Sequence, residues 1–117
     1  MNLFLLGATG SIGMQTLDIV RRSNGEFKIV TATANTNISK LEDIIVEFQP
    51  EYVSVGLEKD CIALQEKYPG VLCGYGREGL VQAATYGNKG EDLVVNAIVG
   101  SAGLEPTIQA IKSSRNI

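Results

Sequence analysis

The sequence predicts an α/β fold of three layers, in which helices cover both faces of a parallel β-sheet. Short apolar runs alternate with segments that repeat apolar residues at helical spacing, and a glycine-rich turn follows the first apolar run. The chain has 117 residues, of which 44% are hydrophobic and 20% charged, enough for one domain with a buried core. We therefore predict one Rossmann-like, doubly wound domain over residues 1–117.

The first strand, helix and strand are predicted at the start of the chain. The apolar run Asn2–Leu6 is typical of a short strand buried on both faces. An amphipathic helix beginning at Ser11 is indicated by residues at helical spacing, namely Ile12, Thr16, Ile19 and Val20. Arginines at 21 and 22 suit the negative end of that helix, and Asn24-Gly25 ends it. The β-branched run 27–34 predicts the second strand.

The middle of the chain continues the alternation. Apolar residues at helical spacing from Ile38 to Phe48 predict a second helix that ends near Pro50, and residues 52–55 predict a third strand. A third helix, closed by Pro69-Gly70, is indicated by the repeat of Leu57, Cys61, Leu64 and Tyr68. Residues 71–75 then predict a short strand, and residues 77–86 predict a helix.

The last part of the chain predicts a strand at 92–99, a glycine loop at 100–103, a helix with Pro106 in its first turn, and the start of another strand at 116–117. Strands that alternate with helices imply βαβ units and a parallel sheet. Because the final strand is unfinished, we expect a sheet truncated at its C-terminal end. The chain is accordingly interpreted as a fragment of a longer polypeptide.

The glycine loop after the first strand is the sharpest functional signal. Gly7 permits the turn off the strand, Gly10 lets the backbone approach a pyrophosphate, and Gly13 lets the helix pack close to the sheet. The helix N-terminus offers N–H groups and the positive dipole end to phosphates, and two hydroxyls lie in the loop. The predicted dinucleotide contacts here are Gly7, Thr9, Gly10, Ser11, Ile12 and Gly13. A bland structural turn is the alternative.

The end of the second strand favours NADP over NAD. An NAD enzyme usually carries an acid there, about 20 residues past the loop, that binds the ribose 2′-hydroxyl. This chain has Asn35-Thr36-Asn37 instead, and the nearest acids, Glu42 and Asp43, lie within a helix. Lys40 adds a positive charge nearby. The alternative, that the asparagines shape the turn and cap the next helix, is compatible with a binding role.

The end of the strand at 92–99 is the third predicted cofactor segment. Ligands of such folds lie at the carboxyl ends of the strands, so Ala97 and Ile98 are predicted to border the cofactor's ribose or nicotinamide. A purely structural turn is the alternative.

Composition excludes several other functions. The net charge is −3 with cations scattered among acids, which argues against a nucleic-acid partner. No apolar run approaches the roughly 20 residues that cross a bilayer, and no signal peptide is expected, so a cytoplasmic protein without a membrane partner is predicted. The chain has no His, and its two cysteines are expected to be reduced thiols. We identify no catalytic residue and no metal ligand.

Three segments together resemble one enzyme family. Residues 5–13, residues 16–21 and residues 96–107 are similar to the N-terminal portion of the 1-deoxy-D-xylulose 5-phosphate reductoisomerases. This resemblance implies an NADPH-dependent enzyme of non-mevalonate isoprenoid biosynthesis that forms 2-C-methyl-D-erythritol 4-phosphate, uses Mg²⁺ or Mn²⁺, and is a homodimer. By position, residues 9–12 match its phosphate loop, and residues 35–37 match its ribose 2′-phosphate segment.

The chain also departs from that family. Members often have Gly-Lys or Gly-Arg where this chain has Asn35-Thr36, which removes a cation from the 2′-phosphate site, whereas Asn37 is kept. The family's Asn-Lys-Glu segment, metal ligands and site for the sugar-phosphate substrate would follow Ile117, so the fragment alone is expected to be inactive. Two alternatives stay open: the cofactor domain of a semialdehyde dehydrogenase-like enzyme, and a free-standing dinucleotide sensor.

Overall fold

The structure is a computed structural model that describes residues 1–87 and 92–98. Strands and helices alternate in the order β1 (Asn2–Leu6), α1 (Ser11–Arg22), β2 (Lys28–Thr33), α2 (Ile38–Phe48), β3 (Tyr52–Val55), α3 (Glu58–Lys67), β4 (Leu72–Tyr75), α4 (Gly76–Thr85) and β5 (Asp92–Asn96). Each of these elements was predicted, with bounds that differ by at most three residues. The predicted loop at 100–103, helix after 105 and strand at 116–117 lie outside the described residues.

The five described strands form one sheet in the order β4-β3-β2-β1-β5, and all neighbours pair in parallel. From β1 to β4 each new strand is added on the same side of the sheet, whereas β5 lies on the other side of β1. In doubly wound sheets this reversal opens a crevice at the carboxyl ends of the two strands. The crevice therefore lies where β1 leads into the glycine loop and β5 leads to Ala97.

Two apolar cores lie on opposite faces of the sheet. On one face, α1, α2 and α3 bury side chains against alternate residues of the strands, among them Leu3, Leu5, Leu17, Leu41 and Leu64. On the other face, α4 covers the intervening residues, and this core contains Phe4, Leu6, Val30, Tyr52, Ala83, Ala84 and Val94. The three-layer, doubly wound α/β fold is thus confirmed.

The buried face of α1 differs from the predicted one. Ile12 and Ile19 are 54% and 61% exposed, whereas Gly13, Leu17 and Val20 are buried. Positions 13, 17 and 20 share one helix face because side chains three and four residues apart are neighbours. The prediction is confirmed for Val20 and wrong for Ile12 and Ile19. Residues 12, 16 and 19 have the same helical spacing as residues 13, 17 and 20, and the close contact of Gly13 with the Gly7 and Ala8 carbonyls turns the second set inward.

An irregularity in β2 changes the direction of its side chains. Leu3 pairs with Ile29, but the next residue, Phe4, pairs with Thr31, so Val30 is an extra residue in the strand. Such a bulge shifts the alternation between the two faces by one position. The Thr31 hydroxyl consequently faces α4, where it donates to the Ala83 carbonyl at 2.8 Å. Thr33, two residues further on, shares that orientation at the end of the strand.

Candidate cofactor site

The N-terminus of α1 opens at the carboxyl end of β1. The first intrahelical hydrogen bond runs from the Met14 N–H to the Gly10 carbonyl at 2.9 Å, so the N–H groups of residues 11–13 have no partner within the helix. The N-cap residue Gly10 supplies no side-chain hydrogen bond, and the first turn carries no acidic residue. The positive end of the helix dipole at this position favours an anion.

Two of the three loop glycines are required by the protein itself. Gly7 has φ +79°, and a Cβ there would lie 3.0 Å from the Ala97 carbonyl carbon and from Ile98 Cγ1. A Cβ at Gly13 would collide with the Gly7 carbonyl oxygen and lie 2.6 Å from that of Ala8. These contacts confirm the turn predicted at Gly7 and the close helix packing predicted at Gly13.

Gly10, by contrast, is not required by its contacts with the described part of the chain. Its backbone is extended, with φ −84° and ψ 179°, which any residue adopts. Among residues 1–87 and 92–98, a Cβ added there would meet only the Gly7 carbonyl oxygen, at 3.8 Å. The residue is exposed, with half-buried Thr9 before it and exposed Ser11 after it. A glycine that no protein contact demands, at an uncapped helix start, is what close approach of a ligand to the backbone needs.

Thr33 holds this loop through two hydrogen bonds, although its residue type and position in the sequence did not predict this role. The Gly7 N–H donates to Thr33 Oγ1 at 2.8 Å, and the Ala8 N–H donates to the Thr33 carbonyl at 2.7 Å. Thr33 is only 2% exposed. The composition of β2 gives no signal for this role, because the bulge determines which way the hydroxyl points.

The Asn35-Thr36-Asn37 segment lies at the carboxyl end of β2, and all three residues are exposed. The Asn37 side chain accepts a hydrogen bond from the Lys40 N–H at 3.3 Å, so the cap on α2 that was weighed from the sequence is confirmed. The Asn35 carbonyl accepts from the Gly56 N–H at 3.0 Å. Backbone contacts thus hold the segment in place, while the Thr36 side chain and Lys40 reach solvent.

Ala97 and Ile98 lie beside the glycine loop across the switch between β1 and β5. The Ala97 N–H donates to the Leu6 carbonyl at 2.8 Å, and the Ile98 N–H donates to Asn96 Oδ1 at 3.0 Å. Ala97 is buried and Ile98 half-buried. The structure therefore brings residues 97 and 98 next to Gly7, while the glycine loop predicted at 100–103 lies outside the described residues.

Another glycine motif lies where β4 leads into α4. Gly74, Gly76 and Gly79 have the spacing G-x-G-x-x-G there. This motif was not among the predicted cofactor segments. A Cβ at Gly74 would collide with the Tyr52 hydroxyl, and one at Gly79 would lie 2.5 Å from Ser54 Oγ. Gly76 has φ +65°. Close packing of α4 on β3 and one left-handed turn account for all three glycines without a ligand.

Catalytic chemistry is not evident in the described part of the chain. Burial raises the pKa of Tyr52 and of Cys73 to about 12, so both groups are protonated near neutral pH and neither is an activated nucleophile. Among residues 1–87 and 92–98, no three Cys, Asp or Glu side chains are grouped so as to hold a metal ion. No helix within the same residues has the length and apolar character to cross a membrane.

Comparison with known proteins gives one consistent match. A family model for 1-deoxy-D-xylulose 5-phosphate reductoisomerase matches residues 3–117. The enzyme of that name from Bacillus cereus (strain Q1) is 43% identical over 116 residues, which are 99% of this chain and 30% of the relative.

Solved structures agree with the sequence match. The reductoisomerase from Zymomonas mobilis in complex with NADPH is 31% identical, with a TM-score of 0.85 over 97% of this chain and 30% of that one. A reductoisomerase in complex with NADPH, fosmidomycin and magnesium is 33% identical, with a TM-score of 0.90 over 98% of this chain and 28% of that one. The chain thus spans less than a third of the length of the relatives it matches.

Proposed function

The chain belongs to the 1-deoxy-D-xylulose 5-phosphate reductoisomerase family, and from this membership we propose that residues 1–117 form the NADPH-binding domain of a longer reductoisomerase. The observation that carries the proposal is Gly10, an exposed glycine at the uncapped start of α1 that no contact with the described residues requires. Two relatives of the same fold are complexes with NADPH. The family match favours this function over the semialdehyde dehydrogenase and sensor alternatives.

The pyrophosphate of NADPH is assigned to the start of α1. The N–H groups of residues 11–13 and the positive end of the helix dipole favour an anion there. The hydroxyls of Thr9 and Ser11 add donors, and the absent side chain of Gly10 lets phosphate oxygens approach the backbone. Gly7 and Gly13 support the site by allowing the turn and the helix packing on which it is built.

The 2′-phosphate is assigned to Asn35, Thr36 and Asn37 with the exposed ammonium of Lys40 nearby. No carboxylate follows β2 directly, so a 2′-phosphate is not repelled there. Because Asn37 already caps α2, its side-chain oxygen is occupied, and Thr36 and Lys40 are the stronger candidates for direct contact. Ala97 and Ile98, beside Gly7, border the ribose or nicotinamide.

The proposed reaction is that of the family, the rearrangement and reduction of 1-deoxy-D-xylulose 5-phosphate to 2-C-methyl-D-erythritol 4-phosphate. NADPH supplies the hydride, and the described residues bind and orient the NADPH molecule. They offer no group of metal ligands, so we assign the divalent metal and the sugar-phosphate site to the rest of the protein. The whole enzyme is proposed to be a cytoplasmic homodimer, and residues 1–117 alone are proposed to lack turnover.

Titration of the chain with NADPH and NADH, followed by nicotinamide fluorescence, tests the proposal. We expect saturable binding of one equivalent, with NADPH the tighter ligand because only it carries the 2′-phosphate. Absence of NADPH binding would contradict the proposed function. Equal dissociation constants for the two cofactors would contradict the role given to residues 35–37.

A further inference from the structure

We infer that Thr33 is a positioning residue for the cofactor, an inference that rests on the proposed NADPH-binding function. Thr33 is the last residue of β2 and is almost fully buried, yet both of its oxygen atoms accept hydrogen bonds from the neighbouring glycine loop. Its hydroxyl accepts from the Gly7 N–H at 2.8 Å, and its carbonyl accepts from the Ala8 N–H at 2.7 Å.

At the end of β1, the Gly7 N–H donates to the Thr33 hydroxyl rather than to a backbone carbonyl. Gly7 has φ +79°, so the chain turns away from the extended course of the strand at this residue. The Thr33 side chain supplies an acceptor for the N–H of the turning residue, and its carbonyl holds the next residue. Together these two bonds determine the direction in which the chain leaves β1 and the place where α1 begins.

The same bonds determine which N–H groups face a ligand. The amides of Gly7 and Ala8 point into the protein toward Thr33, so an anion is left to the amides of residues 11–13. Thr33 also lies two residues before Asn35, whose carbonyl is held by the Gly56 N–H at 3.0 Å. Thr33 therefore connects the glycine loop to the end of β2, two residues before the segment assigned to the 2′-phosphate.

Thr31 provides a matched control within the same strand. It is also fully buried, lies on the same face after the bulge, and makes one side-chain hydrogen bond, to the Ala83 carbonyl at 2.8 Å. That bond joins β2 to α4, away from the glycine loop. Replacing either threonine by the isosteric valine removes one buried hydroxyl bond, but only the change at residue 33 affects the loop.

The experiment measures NADPH dissociation constants and melting temperatures for the full chain and for Thr33→Val, Thr33→Ser and Thr31→Val. We expect Thr33→Val to weaken NADPH binding about fivefold, which corresponds to one hydrogen bond. Thr33→Ser keeps the hydroxyl and should restore the affinity of the unmutated chain. Thr31→Val should lower the melting temperature as Thr33→Val does, and leave the dissociation constant unchanged.

Two results would overturn the inference. One is an unchanged dissociation constant in Thr33→Val, and the other is an equal loss of affinity in Thr31→Val, which would show a general effect of stability. If Thr33→Val does not fold, Thr33→Ala compared with Thr33→Ser repeats the test, because both lose the methyl group and only serine keeps the hydroxyl. Failure of the unmutated chain to bind NADPH would instead overturn the proposed function, and the inference with it.

Discussion

Replacement of Gly10 by alanine separates a ligand requirement from a folding requirement. Within the described residues, the added methyl group would meet no atom closer than the Gly7 carbonyl oxygen, 3.8 Å away, and the backbone at Gly10 is extended. The folded state therefore accommodates alanine. A Gly→Ala change that causes no strain stabilises a protein by about 0.4–1 kcal/mol through the unfolded chain. We expect an unchanged or slightly raised melting temperature.

The effect of Gly10→Ala on binding has the opposite sign. A phosphate oxygen must come within about 3 Å of the backbone N–H groups to form a hydrogen bond, and the new methyl group occupies part of that approach. Loss of one hydrogen bond to a charged group costs about 1.5–3 kcal/mol. The dissociation constant for NADPH should therefore rise about 10- to 150-fold.

Fluorescence titration with NADPH and thermal denaturation, both on the same samples, measure these two effects. Gly70→Ala is the matched control, since Gly70 is also exposed and a Cβ there would have no heavy atom of residues 1–87 or 92–98 within 4 Å. It lies far along the chain from the loop and should leave NADPH affinity unchanged. Full NADPH affinity in a folded Gly10→Ala protein would refute the assignment of the pyrophosphate to this loop.

Two further predictions concern stability. Gly13→Ala places a Cβ against the carbonyl oxygens of Gly7 and Ala8, so α1 must shift. Urea denaturation should therefore show a free energy of unfolding lower by about 1–3 kcal/mol. An unchanged free energy of unfolding would contradict this packing. The hydrogen-bonded Arg21 guanidinium holds the pKa of Glu47 below its ordinary value. The ion pair therefore stabilises the folded state fully at pH values above the ordinary carboxyl pKa. This contribution is lost as the pH falls through the lowered pKa of Glu47. Because both side chains are well exposed, Glu47→Gln should lower the free energy of unfolding by only about 0.2–1 kcal/mol at pH 7 and should have no effect near pH 2. Urea denaturation measures this change, with Glu66→Gln as the control. A loss of stability that does not depend on pH would contradict the ion pair.

Elements governed by local pattern could be predicted from the sequence. The helix from Ile38 to Phe48 shows its apolar repeat clearly, and Pro50 prevents its continuation. The strand from Tyr52 to Val55 is a short run between turns and was predicted with its observed bounds. The glycine loop was recognisable because its spacing, the preceding strand and the following helix all agree.

Features that depend on contacts between elements could not be predicted. Ile12 and Ile19 have helical spacing yet are exposed, and only the contacts of Gly13 with the Gly7 and Ala8 carbonyls show which face of α1 is buried. The role of Thr33 depends on the bulge at Val30, which turns its hydroxyl toward the end of β1. The glycines at 74 and 79 have the spacing of a nucleotide loop, but the neighbouring strand's Tyr52 and Ser54 show that packing requires them.

The position of the bound cofactor tests the central claim most directly. Backbone amide NMR shifts of the chain, recorded during titration with NADPH, report which N–H groups meet the phosphates. We predict the largest shifts at residues 10–13, followed by residues 35–40, with residues 74–79 unchanged. Saturable binding with its largest shifts at residues 74–79, and none at residues 10–13, would contradict the account.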